Sequence, residues 1–123
     1  MRHLEITKTM ISQSAKIVKL MGKAAPTPEL GDWQFSLNST GKLISLRILI
    51  LGDNNNENGL IFEVSHCIKI LHSMGYDIII GHPRLGKVDI TYFSDDFFET
   101  IKGFAISHEA AQAVLLKVLK GGE

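Results

Sequence analysis

The sequence lacks several features that would assign it to a specialised class of protein. It holds one cysteine, Cys67, among 123 residues, so no disulfide can form within the chain and a reducing compartment is expected. Its 13 basic and 13 acidic residues cancel to a formal net charge of zero. No nucleic-acid partner and no membrane partner are expected, because unspecific binding to either relies on a field of one sign.

Long apolar segments are also missing. No stretch approaches the length that spans a bilayer, and the first ten residues, MRHLEITKTM, lack the apolar run of a signal peptide. A cytoplasmic protein is therefore expected. What the sequence does contain is a globular composition, with 45% hydrophobic and 21% charged residues. Its length fits a single domain over residues 1–123, and the absence of net charge favours self-association.

The most regular stretch is a nine-residue aliphatic run at positions 43–51, LISLRILIL, which predicts a largely buried strand. One of its faces is wholly apolar, whereas the other carries Ser45 and Arg47. The second face is therefore expected to be partly exposed to solvent or in contact with a partner. Residues 33–38 alternate between apolar and polar side chains, and NSTGK supplies a turn between the two stretches. These features predict an antiparallel hairpin.

The N-terminal segment, 1–23, predicts a helix with an unusually wide apolar arc. This arc is wider than packing on one sheet requires. The additional apolar surface is therefore either buried in the protein's own core or in contact with a second subunit. The second alternative predicts a homodimer with this helix in the interface. Another alternative makes residues 3–7 a short edge strand, with the helix beginning near Lys8. A linker follows at 24–31, where two prolines prevent a helix.

The second half of the chain alternates helical and extended patterns. Residues 60–74 have one apolar helical face, although Phe62 and Glu63 break the pattern unless 60–64 end a strand and the helix begins later. Strands are predicted at 76–81 and 88–93. Ser94 followed by two aspartates predicts a helix start, and a last helix follows from Ser107. The order α-β-β-α-β-β-α-α predicts an α+β protein with one mixed sheet of about four to five strands and helices mainly on one face.

The predicted topology suggests where a ligand would bind. A strand, a helix and another strand predict a right-handed crossover, which makes 43–51 and 76–81 parallel and brings their carboxyl ends to one edge. Ligands often bind at such an edge. The side chains expected there offer an aromatic face, cations, amides and a titratable nitrogen, and they predict a site for a small polar or anionic molecule. These candidates are Trp33, Asp53, Asn55, His82, Arg84 and Lys87.

Signals for catalysis and for metal binding are weaker. Glu63 and His66 stand three residues apart and could pair as acid and base, but a solvated helix face explains them as well. With Arg47 they form a secondary set of candidates. No complete phosphate-loop motif is present, and the acidic spacing after Gly52 lacks the glycine and glutamate positions of a calcium loop. No metal and no cofactor are therefore predicted.

The favoured interpretation is a non-enzymatic small-molecule-binding or interaction module that acts as a homo-oligomer, with an unknown ligand. One alternative is a small hydrolase or transferase that uses Glu63 with His66, or His82 with Arg84. Another alternative is a factor that binds a protein partner, such as an immunity, antitoxin or chaperone-like protein.

Overall fold

A computed structural model describes residues 5–52 and 59–121 of the chain. It confirms the α+β class, since these residues form three α-helices and two three-stranded antiparallel sheets. The chain divides into two compact units, Met1–Ile61 and Phe62–Glu123. The single domain over 1–123 stays a prediction. The elements are α1 (Lys8–Met21, then a short 3₁₀ turn at Gly22–Ala24), β1 (Trp33–Leu37), β2 (Leu43–Ile48), β3 (Gly59–Leu60), α2 (Val64–Ser73), β4 (Asp77–Arg84), β5 (Lys87–Ser94), β6 (Phe97–Phe104) and α3 (Ser107–Leu119).

The first helix begins at Lys8 because Thr7 caps it. Thr7 has an extended backbone, and its hydroxyl accepts the Met10 N–H at 3.1 Å. Met10 lies on the buried face of α1 and forms the core of the first unit together with Phe35 and Ile61. The alternative helix start near Lys8 is thus confirmed, although the described residues before Thr7 form no strand. Residues 25–32 contain neither helix nor strand.

The sheet of the first unit has the order β2-β1-β3. The predicted hairpin is confirmed, with Phe35 opposite Leu46 and Trp33 opposite Ile48. The predicted burial of 43–51 is wrong, however, because Ile44 is 65% exposed and Leu51 is 88% exposed. The physical reason is position: β1 takes the centre of this small sheet, and β2 lies at its edge with one neighbouring strand.

The second unit has the sheet order β4-β5-β6, and all of its pairs are antiparallel. The predicted single mixed sheet is therefore wrong, and so is the parallel pairing of 43–51 with 76–81, because β2 and β4 belong to different sheets. Within the second unit, each strand instead pairs with the strand next to it along the chain. Such hairpins close short loops, whereas a crossover must close a long one.

The helix predicted from Ser94 is also wrong. Ser94 ends β5 and pairs with Phe97, and the two aspartates between them form a tight turn into β6. Serine and aspartate favour turns as well as helix starts, and pairing with β5 along the whole of β6 decides between the two. The later helix start in the alternative for 60–64 is confirmed, since α2 begins at Val64; the strand part extends only to Leu60, and residues 61–63 form neither helix nor strand.

The core of the second unit lies between its sheet and its two helices. Val88, Ile90 and Tyr92 are buried on one face of β5, where α3 packs, and α2 contacts both α3 and β4. On the opposite face, Ile79 is 58% exposed and Phe98 is 73% exposed. None of the helices within the described ranges is long and apolar enough to cross a membrane.

Candidate functional site

The residues predicted to meet at one sheet edge do not share a sheet. Trp33 begins β1 in the first unit, whereas His82 and Lys87 lie on the β4–β5 hairpin of the second, where both are exposed. The Arg84 backbone pairs with Lys87 across that hairpin. Asp53 and Asn55 lie outside the described residues. The edge that would have brought these six residues together rested on a parallel pair of strands that does not form, and their role in binding stays a prediction.

Trp33 contributes to packing in the first unit. It is partly buried against the core formed by Met10, Phe35 and Ile61. Its indole N–H is buried and has no hydrogen-bond partner among the described residues. Trp33 therefore contributes to the packing of the first unit, and its role in binding a ligand stays a prediction.

The secondary candidates Glu63 and His66 meet at the start of α2, where they form a capping box. The Glu63 carboxylate accepts a hydrogen bond from the backbone N–H of His66. In return, the ring nitrogen Nδ1 of His66 accepts the backbone N–H of Glu63 at 3.0 Å. His108 completes this helix start, because its Nδ1 accepts the Val64 N–H at 2.9 Å. This geometry is typical of capping and does not favour an acid–base pair. Arg47 lies exposed on β2, opposite Gln34.

A different site is formed in the first unit, where a trough of about 520 Å³ lies between α1 and the turn end of the β1–β2 hairpin. Ile11 and Ala15 form one side of its apolar floor, and both also pack against the core. Leu37 and Leu43, at the ends of the paired strands, form the other side. The complete lining is Lys8, Ile11, Ser12, Ala15, Lys16, Leu37, Gly41 and Leu43.

The polar wall of the trough follows from helical periodicity. Lys8, Ser12 and Lys16 are spaced four residues apart on α1, so their side chains stand one above the other along the helix. Ile11 and Ala15 fall between this polar column and the buried face that carries Met10. One side of the helix therefore offers an apolar floor bordered by two ammonium groups and a hydroxyl.

The hairpin end that closes the trough is fixed by its own hydrogen bonds. The Asn38 side-chain oxygen accepts the N–H groups of Thr40 and Lys42, both at 2.9 Å. Gly41 takes φ +84° in this turn, a conformation that favours glycine. Its N–H donates to the Asn38 carbonyl at 3.0 Å. These bonds hold Leu37 and Leu43 in place, so their side of the trough is preorganised.

The trough is electropositive. Its lining contains two lysines and no aspartate or glutamate, and neither ammonium forms an ion pair with any described residue. The N-terminus of α1 lies at the Lys8 end, and no acidic residue occupies its first turn. The partial positive charge of the helix start therefore adds to that of Lys8. Ser12 stands between the two lysines, and no histidine, aspartate or glutamate is among the residues that line the trough.

The individual elements of this trough could be inferred from the sequence, but the trough itself could not. Lys8, Ser12 and Lys16 stand on the polar stripe of the predicted helix, and the wide apolar arc beside them predicts an additional contact surface. The sequence feature that points to the trough is the four-residue spacing of polar side chains next to the apolar Ile11 and Ala15. Only the folded chain sets Leu37 and Leu43 opposite this part of α1.

A second polar cluster lies in the second unit and links three of its elements. The Glu99 carboxylate on β6 accepts hydrogen bonds from the Tyr92 hydroxyl on β5 and, at 2.5 Å, from Lys117 Nζ on α3. The Lys117 ammonium, and after it the Tyr92 hydroxyl, lower the pKa of Glu99. Burial raises the pKa of Tyr92, with the hydrogen bond to Glu99 as a further cause. Tyr76 and Phe97 pack against the Tyr92 ring, so this cluster serves to hold the unit together.

Comparison of the chain with protein-family models, with curated proteins and with solved structures gave no match.

Proposed function

We propose that this protein is a non-enzymatic binding module whose trough on α1 takes a small amphipathic anion. The observation that carries the proposal is the pairing of an apolar floor with two lysines and no carboxylate in one preorganised trough. A hydrocarbon body removes the floor from water, and an anionic group meets an ammonium that has no ion-pair partner among the described residues. The sequence predicts a small polar or anionic molecule; the proposed ligand keeps the anionic group and adds an apolar body, and its site moves to α1.

Isothermal titration with decanoate, combined with two-dimensional ¹H–¹⁵N NMR, tests the proposal. Binding should shift the amide signals of Ile11, Ala15 and Gly41, and decanol at equal concentration should bind more weakly because it carries no charge. The affinity for decanoate should fall as salt is added, since exposed charges are screened. Amide shifts confined to residues outside the trough, or equal affinity for decanol, would contradict the proposal.

Variants separate the charge of the trough from its apolar floor. The double variant Lys8→Gln/Lys16→Gln should weaken decanoate binding about two- to fivefold, the effect expected of losing one exposed charge pair, since it leaves the single carboxylate neither ammonium to pair with. Ala15→Phe should fill the floor and abolish binding, with circular dichroism checking that the helix persists. Lys19→Gln is the matched control, because Lys19 is an exposed lysine of the same helix outside the trough. It should bind decanoate as the parent protein does.

We also propose that the chain associates as a homodimer through the first unit, with α1 in the interface. This second proposal is supported by exposed apolar side chains on α1 and along β2 and the residues after it, where Leu20 is 46%, Ile44 is 65% and Ile50 is 61% exposed. A net charge of zero adds little repulsion between copies. A cytoplasmic location is proposed with it, supported by the single, buried and free cysteine, Cys67.

A further inference from the structure

The two lysines of the trough stand at the two ends of the stretch of α1 that lines it. Lys8 and Lys16 are separated by eight helical residues, which corresponds to about 12 Å along the axis at 1.5 Å per residue. Between them the lining consists of Ser12 on the polar column and of Ile11 and Ala15 on the floor. The trough is therefore cationic at both ends and apolar along most of its middle.

One anion is poorly placed to satisfy both ammonium groups. Both lysine stems would have to fold along the helix toward Ser12, which would bring two like charges together above an apolar floor. A charged group bound there would lose hydrating water molecules, and the surface beneath it offers only the Ser12 hydroxyl as a hydrogen-bond donor in their place. Two anions, one at each end, leave both lysines extended and place only hydrocarbon over Ile11, Ala15, Leu37 and Leu43.

The two ends of the trough differ in how strongly they attract an anion. The Lys8 end coincides with the N-terminus of α1, which Thr7 caps and whose first turn holds no acidic residue. The Lys16 end lies in the third turn, beyond the reach of the helix-terminal charge. An anion is therefore held more firmly beside Lys8 than beside Lys16.

We infer that the trough recognises a two-headed amphipath: two anionic groups joined by an apolar spacer about as long as the distance between Lys8 and Lys16. This inference rests on the proposed function and specifies its ligand class. Decanedioate is a suitable probe, because its carboxylates are joined by about nine carbon–carbon bonds of roughly 1.5 Å and approach this separation when extended.

Titrations with decanedioate, decanoate and butanedioate test the inference. Decanedioate should bind about fivefold more tightly than decanoate, because it gains a second exposed charge pair. Butanedioate should bind more weakly than either, since it carries both charges without the spacer. Equal affinities for decanedioate and decanoate, or butanedioate binding as tightly as decanedioate, would overturn the inference.

Single lysine variants assign the two ends. Lys16→Gln should lower the affinity for decanedioate more than that for decanoate, and so bring the ratio of the two close to one. Lys8→Gln should weaken both ligands, and more strongly than Lys16→Gln does. Lys19→Gln should leave both affinities unchanged. An unchanged ratio in Lys16→Gln would contradict the two-headed ligand.

Failure of the inference can be distinguished from failure of the proposed function. If decanoate and decanedioate bind equally and Ala15→Phe abolishes both, the trough is a site for single-headed amphipaths and only the inference fails. If neither ligand binds, or if Ala15→Phe binds both as the parent protein does, the proposed function fails as well.

Discussion

Gly59, the first residue of β3, is so closely surrounded that its position has no room for a side chain. A Cβ atom built there would lie 2.8 Å from two ring carbons of Phe35 and 3.0 Å from a methyl carbon of Val18. The Phe35 ring is 1% exposed and belongs to the core, so it cannot swing out into solvent. Close packing, and not backbone conformation, therefore requires glycine at this position, because Gly59 does not have the positive φ found at other glycines of the chain.

Gly59→Ala should consequently lower the free energy of unfolding by about 1–3 kcal/mol, the usual cost of overpacking a well-packed core. Urea denaturation followed by circular dichroism measures the change. Gly81→Ala is the matched control, because Gly81 also has no positive φ and its nearest atom to a new Cβ is 4.0 Å away. If Gly59→Ala is as stable as Gly81→Ala, the packing around Phe35 is looser than described.

At the scale of elements, Glu99 joins β6 to β5 and to α3 through its two hydrogen bonds. Because Lys117 and Tyr92 lower the pKa of Glu99 in the folded protein, the unfolded chain takes up a proton at higher pH than the folded one does. The contribution of Glu99 to stability is therefore present above its ordinary pKa and is lost as the pH falls through the lowered value. The effect is limited by solvent, since the Glu99 side chain is 37% exposed.

Glu99→Gln should therefore destabilise the protein near pH 7, and the difference from the parent should shrink as the pH falls through the ordinary pKa of glutamate and below it. Urea unfolding at a series of pH values measures this difference. Glu29→Gln serves as the control, because Glu29 is an exposed carboxylate whose side chain has no interaction with the described residues. A difference between Glu99→Gln and the parent that does not vary with pH would show that the carboxylate charge is not what links the three elements.

At the scale of the whole molecule, the proposed homodimer can be separated from unspecific association caused by zero net charge. Ile44→Glu places a charge on the exposed apolar edge strand β2, and Leu85→Glu places the same charge on an exposed leucine of the β4–β5 turn. Both variants change the net charge equally. If β2 contributes to the interface, Ile44→Glu should yield monomers in analytical ultracentrifugation at concentrations where Leu85→Glu remains dimeric. An equal effect of the two variants would assign the association to net charge alone.

The elements that local pattern specifies were predicted closely. The amphipathic spacing in α1, the alternation and turn residues of the β1–β2 hairpin, and the start of the last helix at Ser107 each involve residues within a few positions of one another. A pattern of this kind acts through hydrogen bonds and side-chain neighbours of the same element, and these hardly depend on the rest of the fold. The prediction at Ser94 failed for a local reason, because the residues that favour a helix start also favour a turn.

The sequence by itself therefore determined the α+β class, the hairpin of the first unit and the two-faced character of α1. Only the tertiary structure decided which strands pair, that β2 is an edge strand, and that Leu37 and Leu43 close a trough against α1. Strand partners are selected by loop-closure entropy and by many small cross-strand contacts between residues distant in sequence. Because these terms are distributed over the fold, no local segment carries them, and the site that depends on them becomes visible only in the folded chain.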